Sequence, residues 1–127
     1  MNYNKLTTQE ERVIINKATE PPFKGEYDNF YQDGTFICRR YNAPLFSSKS
    51  KFDAGCGWPS FDESYPNAIK RLPDPDGIRT EIQCANCGGN LGHEFVGEGF
   101  TETLDIVSLS IRFIPKTKEL PKIINEE

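Results

Sequence analysis

Residues Ile106 to Pro115 carry the cleanest alternation in the chain. Ile106, Ser108, Ser110 and Arg112 fall on one side, and Val107, Leu109, Ile111 and Phe113 on the other. A period of two is that of a strand with one face toward a core, so a single β-strand is expected over Ile106–Pro115. Aromatic and β-branched runs at Thr35–Arg40, Ala43–Ser47, Ala68–Leu72, Ile78–Gln83 and Leu91–Val96 read the same way. Between two of them, Pro73-Asp74-Pro75-Asp76-Gly77 is a hairpin signal. Nine Pro and ten Gly supply further turns, while nine Phe, five Tyr and one Trp supply large units of burial. The fold class is therefore mainly β, and 127 residues make one domain, 1–127.

The N-terminal segment differs. Thr7 or Thr8 can cap a helix whose first turn holds Glu10 and Glu11, with Leu6, Val13, Ile14 and Ala18 on one face. A short helix over about 8–17 follows, ended by Pro21 and Pro22. Residues 1–22 form a helical arm, and the Lys/Glu-rich residues 116–127 an exposed, flexible tail. Net charge is −4 with Lys and Arg dispersed, which gives nucleic acid no basic groove. No apolar run could span a bilayer, and no signal-peptide pattern opens the chain, so the expected location is the cytoplasm.

Four cysteines fall in two patterns. Cys84-Ala-Asn-Cys87-Gly88-Gly89 has the spacing at which two thiolates chelate one tetrahedral ion from a tight turn. Its upstream counterpart is Cys38-Arg39-Arg40-Tyr41, where Tyr41 stands at the place of a fourth cysteine. A phenol is a poor zinc ligand near neutrality because its pKa lies near 10. Three readings follow for Cys38, Cys84 and Cys87: a three-thiolate zinc site, a vestigial site of small buried hydrophobes, or a redox pair within Cys-x-x-Cys.

Cys56 stands outside that spacing, in Lys51-Phe52-Asp53-Ala54-Gly55-Cys56-Gly57-Trp58-Pro59-Ser60-Phe61. Flanking glycines leave the thiol uncovered, and Trp58 beside it is a flat apolar wall. The block can build a small pocket for a sulfur or methyl group, or a tight turn on an aromatic core. His93, the one histidine, can relay protons or serve as a structural residue.

This block, with Thr19-Glu20-Pro21-Pro22-Phe23, Ala43-Pro44-Leu45-Phe46, Cys84-Ala85-Asn86-Cys87, Leu91-Gly92-His93 and Ser108-Leu109-Ser110-Ile111-Arg112-Phe113, resembles the methionine-R-sulfoxide reductases along nearly the whole chain. The resemblance implies two antiparallel β-sheets, a β-tent, with a short N-terminal helix. It implies a structural zinc held by four cysteines, three of them matched by Cys38, Cys84 and Cys87. It also implies reduction of protein-bound methionine-(R)-sulfoxide: a cysteine on the C-terminal strand attacks the sulfoxide and becomes a sulfenic acid. A resolving cysteine then closes a disulfide, which thioredoxin reduces. Cys56 matches the resolving cysteine, Trp58 the wall that holds the substrate methyl group, and His93 a pocket histidine. Phe61 and Asn90 are assigned to substrate binding, Asn90 standing where the family has another histidine. The implied partners are methionine-sulfoxide-containing proteins and thioredoxin, with no nucleic acid and no membrane, and the chain is expected to be a monomer.

The departures concentrate at the chemistry. With the strand anchored on Ser108, Asp105 occupies the approximate position of the attacking cysteine, Thr103 that of an Arg and Val107 that of an Asn. The segment between Gly99 and Ser108 is a few residues short. A carboxylate has no soft sulfur to attack with and cannot become a sulfenic acid. Three functions remain: a reductase impaired at Asp105, a reductase in which Cys56 attacks and an external thiol restores it, or an inactive methionine-sulfoxide-binding or zinc-stabilised interaction module. The impaired reductase is the expectation.

Overall fold

The computed structural model describes residues 3–73, 79–95 and 103–124. Helix α1 spans Thr8–Ile14. Thr7 Oγ1 accepts from Glu10 N at 3.1 Å, and Thr7 N donates to Glu10 Oε1 at 2.9 Å, a reciprocal capping box. The helix ends sooner than its apolar face suggests. Lys17 takes a positive φ of 62°, and Ala18 N turns back to Arg12 O at 2.8 Å, so the chain leaves the helix before the prolines.

Among the described residues nine strands follow: β1 (Gly34–Cys38), β2 (Pro44–Ser47), β3 (Lys51–Phe52), β4 (Ser60–Phe61), β5 (Ile69–Pro73), β6 (Arg79–Cys84), β7 (Asn90–Phe95), β8 (Thr103–Ile106) and β9 (Ile111–Pro115). They form two antiparallel sheets, one ordered β2-β1-β9 and the other β3-β4-β8-β7-β6-β5. The expected mainly β architecture with a short N-terminal helix is what the chain adopts. The β5–β6 hairpin forms with Ile69 opposite Cys84 and Pro73 opposite Thr80, its turn at 74–78 lying outside the described residues. Residues 96–102, which include the first part of the segment between Gly99 and Ser108, lie outside them too.

The long strand expected over Ile106–Pro115 is instead two strands in different sheets. Ser108–Ser110 forms a 3₁₀ turn between β8 and β9. The serines that fit the polar phase of a strand are buried, 1% and 0% exposed, because their groups bond backbone rather than water. Ser108 Oγ accepts from Tyr27 N at 3.1 Å, and Ser110 Oγ donates to Asn90 O at 2.8 Å. These local bonds replace the ladder and let the chain cross from one sheet to the other.

Aromatic rings hold the sheets together. Phe61 of β4 stacks on Phe46 of β2, centroids 4.3 Å apart, and meets Phe36 of β1 edge-on at 5.2 Å. All three are fully buried. Each such pair adds about 0.5–1.5 kcal/mol beyond area burial. Residues 116–120 are exposed, whereas Ile123 and Ile124 pack on the core and Ile124 N donates to Tyr41 O at 3.1 Å.

Candidate active site and thiol cluster

The turn at 53–59 presents Cys56 to the six-stranded sheet. Asp53 Oδ1 accepts from Gly55 N at 2.9 Å, which folds the chain back on itself. Gly57 has a φ of 92°, and a Cβ there would lie 2.5 Å from Pro22 Cβ, so the turn needs glycine to lie against the Pro22-Phe23 segment. Trp58 is fixed from the same side, its indole Nε1 donating to Glu20 O at 3.0 Å. Glu20 in turn accepts from Ser108 N at 2.7 Å, which ties the tryptophan wall to the crossover between the sheets. Burial pushes the Glu20 carboxyl up, and the Ser108 bonds oppose it.

Strand register supplies the other half of the site. Ser60 on β4 lies opposite Asp105 on β8, Asp105 opposite His93 on β7, and His93 opposite Glu81 on β6. Directly opposed residues share a face, so Ser60, Asp105, His93 and Glu81 form a polar row across four strands. Gly92 makes the close approach of β7 and β8 possible: a Cβ there would lie 2.0 Å from Asp105 O. At the far end of the row Lys17 Nζ donates to Glu81 Oε1 at 3.0 Å.

Cys56 closes the row. Its half-buried thiol donates to Asp105 Oδ1 at 3.5 Å and lies 3.4 Å from Ser60 Oγ. Ser60 Oγ itself donates to Asp105 Oδ1 at 3.1 Å. Burial raises the affinity of both groups for a proton. For Cys56 the Asp105 carboxylate adds to this, while bonds with Ser60 and the Trp58 backbone oppose it. For Asp105 the Ser60 and Cys56 bonds and the nearby His93 oppose it. Beside them lies a pocket of about 130 Å³ lined by Thr19, Trp58, Arg79, Gly92, His93, Asp105 and Val107. That is small beside the pockets that take drug-sized ligands and suits one side-chain head group. A larger cleft of about 470 Å³ between α1 and residues 18–26 shares Thr19 with it but, among the described residues, is lined by no thiol and no histidine.

The structure thus brings Cys56, Trp58, His93 and Asp105 together and leaves out two residues assigned to the substrate. Phe61 is a core side chain, 0% exposed between Phe36 and Phe46, because its side chain points opposite to that of Ser60 on the same strand. Asn90 is 3% exposed, and its Nδ2 donates to Val13 O at 3.1 Å. It satisfies one of the unpaired carbonyls at the end of α1 and pins the helix to β7. A bulge between Ile82 and Gln83, opposite Gly92 and Asn90, separates Asn90 from the His93 row. Ser60 and Glu20 also serve the site, and sequence reasoning gave neither a role; for Ser60 the available signal was its place four residues after Cys56.

The second cysteine group lies at the other end of the strands. Cys38 ends β1, Cys84 ends β6, and Cys87 sits in the turn before β7; their Sγ atoms all lie within 4.8 Å of one another. Cys38 Sγ and Cys87 Sγ are 3.6 Å apart, close to the roughly 3.8 Å edge of a tetrahedron with metal–sulfur bonds of about 2.3 Å. Backbone bonds shape the turn: Gly88 N to Cys84 O at 2.8 Å, Cys84 N to Gly89 O at 2.9 Å and Gly89 N to Cys87 Sγ at 3.4 Å. Bonds from the two neighbouring thiols hold Cys87 well below the ordinary thiol range, and the same contacts raise Cys38. The Arg40 guanidinium also bonds Cys87 O. Such a donor set fits a thiophilic metal ion.

A thiol on a turn, set against a carboxylate and an imidazole on one sheet face and beside an aromatic wall, makes a small pocket suited to sulfur chemistry. The comparisons agree. The family profile described as SelR domain matches residues 6–115. Peptide methionine sulfoxide reductase B5 of Oryza sativa subsp. japonica is 51% identical over 114 residues, covering 87% of this chain and 84% of the relative. Peptide methionine sulfoxide reductase B5 of Arabidopsis thaliana is 50% identical over 114 residues, covering 87% and 82%. The chain belongs to the peptide methionine sulfoxide reductase B family, a family of oxidoreductases.

Proposed function

We propose that this chain binds methionine-(R)-sulfoxide side chains of oxidised proteins in the Trp58–His93 pocket, and that its reduction of them is impaired because Asp105 holds the attacking position. The observation that carries this reading is the 3.5 Å contact between Cys56 Sγ and Asp105 Oδ1. A resolving thiol must lie within reach of the sulfur it resolves, and what residue 105 places within reach of Cys56 is a carboxylate oxygen. Trp58 and Val107 offer the substrate methyl group an apolar wall, and His93 faces it from β7. A sulfenic acid at 105, its closure to a disulfide with Cys56 and recycling of that disulfide by thioredoxin all require a thiol at 105.

Zinc is the ion proposed for Cys38, Cys84 and Cys87, whose thiolates suit it. Bound there, it would tie the ends of β1 and β6 together and stabilise the fold, taking no part at the pocket. Four free cysteines suit a reducing compartment such as the cytoplasm, and a monomer is the proposed state.

The test is reduction of a racemic methionine sulfoxide peptide with dithiothreitol, the isomers being resolved. Low, R-selective loss by the wild type and at least about tenfold faster loss by Asp105→Cys are expected. An Asp105→Cys protein no faster than wild type would sink the assignment of position 105.

A further inference from the structure

We infer that Cys56 and Asp105 form a one-thiol oxygen-abstracting pair, in which Cys56 attacks the sulfoxide sulfur and Asp105 carries the thiol proton to the sulfoxide oxygen. The inference rests on the proposed occupancy of the pocket by methionine sulfoxide and adds a chemistry to it. Three features carry it. The Cys56 thiol lies within donating distance of Asp105 Oδ1, 3.5 Å away, with Trp58 O at 3.4 Å its other acceptor. Asp105 also lines the pocket beside Cys56, so one carboxyl group touches both the nucleophile and the space for the substrate. Ser60 Oγ donates to the same Oδ1 at 3.1 Å and fixes the carboxyl group in that orientation.

A carboxylate between a thiol and a sulfoxide is a poor neighbour for either when it is only an anion. It disfavours the thiolate and repels the sulfoxide oxygen. As a proton carrier it serves both: it takes the thiol proton as sulfur attacks and delivers it to an oxygen that is gaining negative charge. Partial burial raises the basicity of the carboxylate, as it raises that of the thiol.

The atoms balance without a second protein thiol. The Cys56 S–H bond breaks and its proton passes through Asp105 to the sulfoxide oxygen. That oxygen transfers to Cys56 sulfur as the substrate S–O bond breaks, leaving a thioether and a Cys56 sulfenic acid. Sulfur of the substrate is reduced by two electrons and sulfur of Cys56 oxidised by two. A small-molecule thiol then condenses with the sulfenic acid, releasing water and forming a mixed disulfide. A second equivalent of the thiol restores Cys56 and leaves as part of an external disulfide.

The test treats the full chain with N-acetylmethionine sulfoxide and dimedone, without reductant, and quantifies the dimedone adduct on the Cys56 peptide. Binding is followed in parallel by quenching of Trp58, the sole tryptophan. Wild type is expected to form the adduct with one equivalent of thioether, and Cys56→Ser to form none on that peptide. Asp105→Asn should form it at least about tenfold more slowly, yet react with iodoacetamide at Cys56 as fast or faster, because the repelling charge is gone. A merely structural role for Asp105 would slow both reactions together, and that result overturns the inference, as does an unchanged sulfoxide rate. Quenching without any adduct overturns the Cys56–Asp105 pair but leaves the pocket reading intact. No quenching overturns both.

Discussion

The sulfurs of Cys38, Cys84 and Cys87 face one another, whereas the sulfur of Cys56 faces a carboxylate. The first group is largely buried at the ends of two strands, Cys38 and Cys84 being 1% and 0% exposed. Cys56 sits half-exposed on a turn that no ladder constrains. On the proposed reading the same side chain is a structural clamp in one place and a reagent in the other, and its neighbours decide which. Thiols grouped at metal-ligand distance share a cation and lose their protons to it. A thiol set against an anion keeps its proton, and any chemistry there must say where that proton goes.

The largest expected effect separates the two groups by stability. Cys84→Ser should lower the unfolding free energy by about 4 kcal/mol and abolish stoichiometric zinc, because metal-binding energy in a small domain is folding energy. Cys56→Ser should change stability by less than about 1 kcal/mol. Urea unfolding and elemental analysis of untagged protein read both quantities. Equal losses from the two substitutions would erase the contrast, and a wild-type zinc content near zero would remove the clamp.

A somewhat smaller effect divides the pocket from the frame beneath it. Phe61→Ala empties a core position between Phe36 and Phe46 and should cost about 3 kcal/mol, with sulfoxide affinity unchanged in the folded protein. Trp58→Ala should do the reverse, weakening sulfoxide binding by about tenfold, or 1.4 kcal/mol, with a smaller loss of stability. Because Trp58→Ala removes the fluorophore, calorimetric titration is the suitable measurement. Affinity lost with Phe61 would return that residue to the substrate.

Much of this arrangement was legible in the chain. The Cys84-x-x-Cys87 spacing and its partner Cys38 were found from ligand chemistry alone, and the three sulfurs do meet. Register was harder. That Asp105 stands between Ser60 and His93 depends on which strands pair, and strands β3 and β4, two residues each, leave no periodic signal. The Ile106–Pro115 alternation misled because a serine that bonds backbone can be buried as completely as an isoleucine. Phe61 and Asn90 misled because belonging to a motif says nothing of direction. Phe61 packs on the far side of the strand from Ser60, and Asn90 serves the end of α1.

The smallest expected effect concerns the charge that sets Cys56 apart. Burial raises the Asp105 carboxyl above its ordinary value, against the Ser60 and Cys56 bonds and the His93 charge that lower it. The native state therefore holds this proton more tightly than the unfolded chain does. Its contribution to stability is fully present below the unfolded carboxylate pKa, about 3.9, and is lost as pH rises through the higher folded value. Above that value the wild type carries an ionised, partly buried carboxylate that opposes folding. Asp105→Asn keeps an oxygen for the Ser60 hydroxyl and removes the charge. Relative to wild type its melting temperature should rise between acid and neutral pH, by the equivalent of less than about 1 kcal/mol once solvent screening is allowed for. Thermal melts of both proteins across that range give the difference directly. A difference that is flat, or that falls toward neutral pH, would mean that Ser60 and Cys56 stabilise the anion more than burial penalises it. Asp105 would then be a settled anion, and the thiol beside it would lack a carrier for its proton.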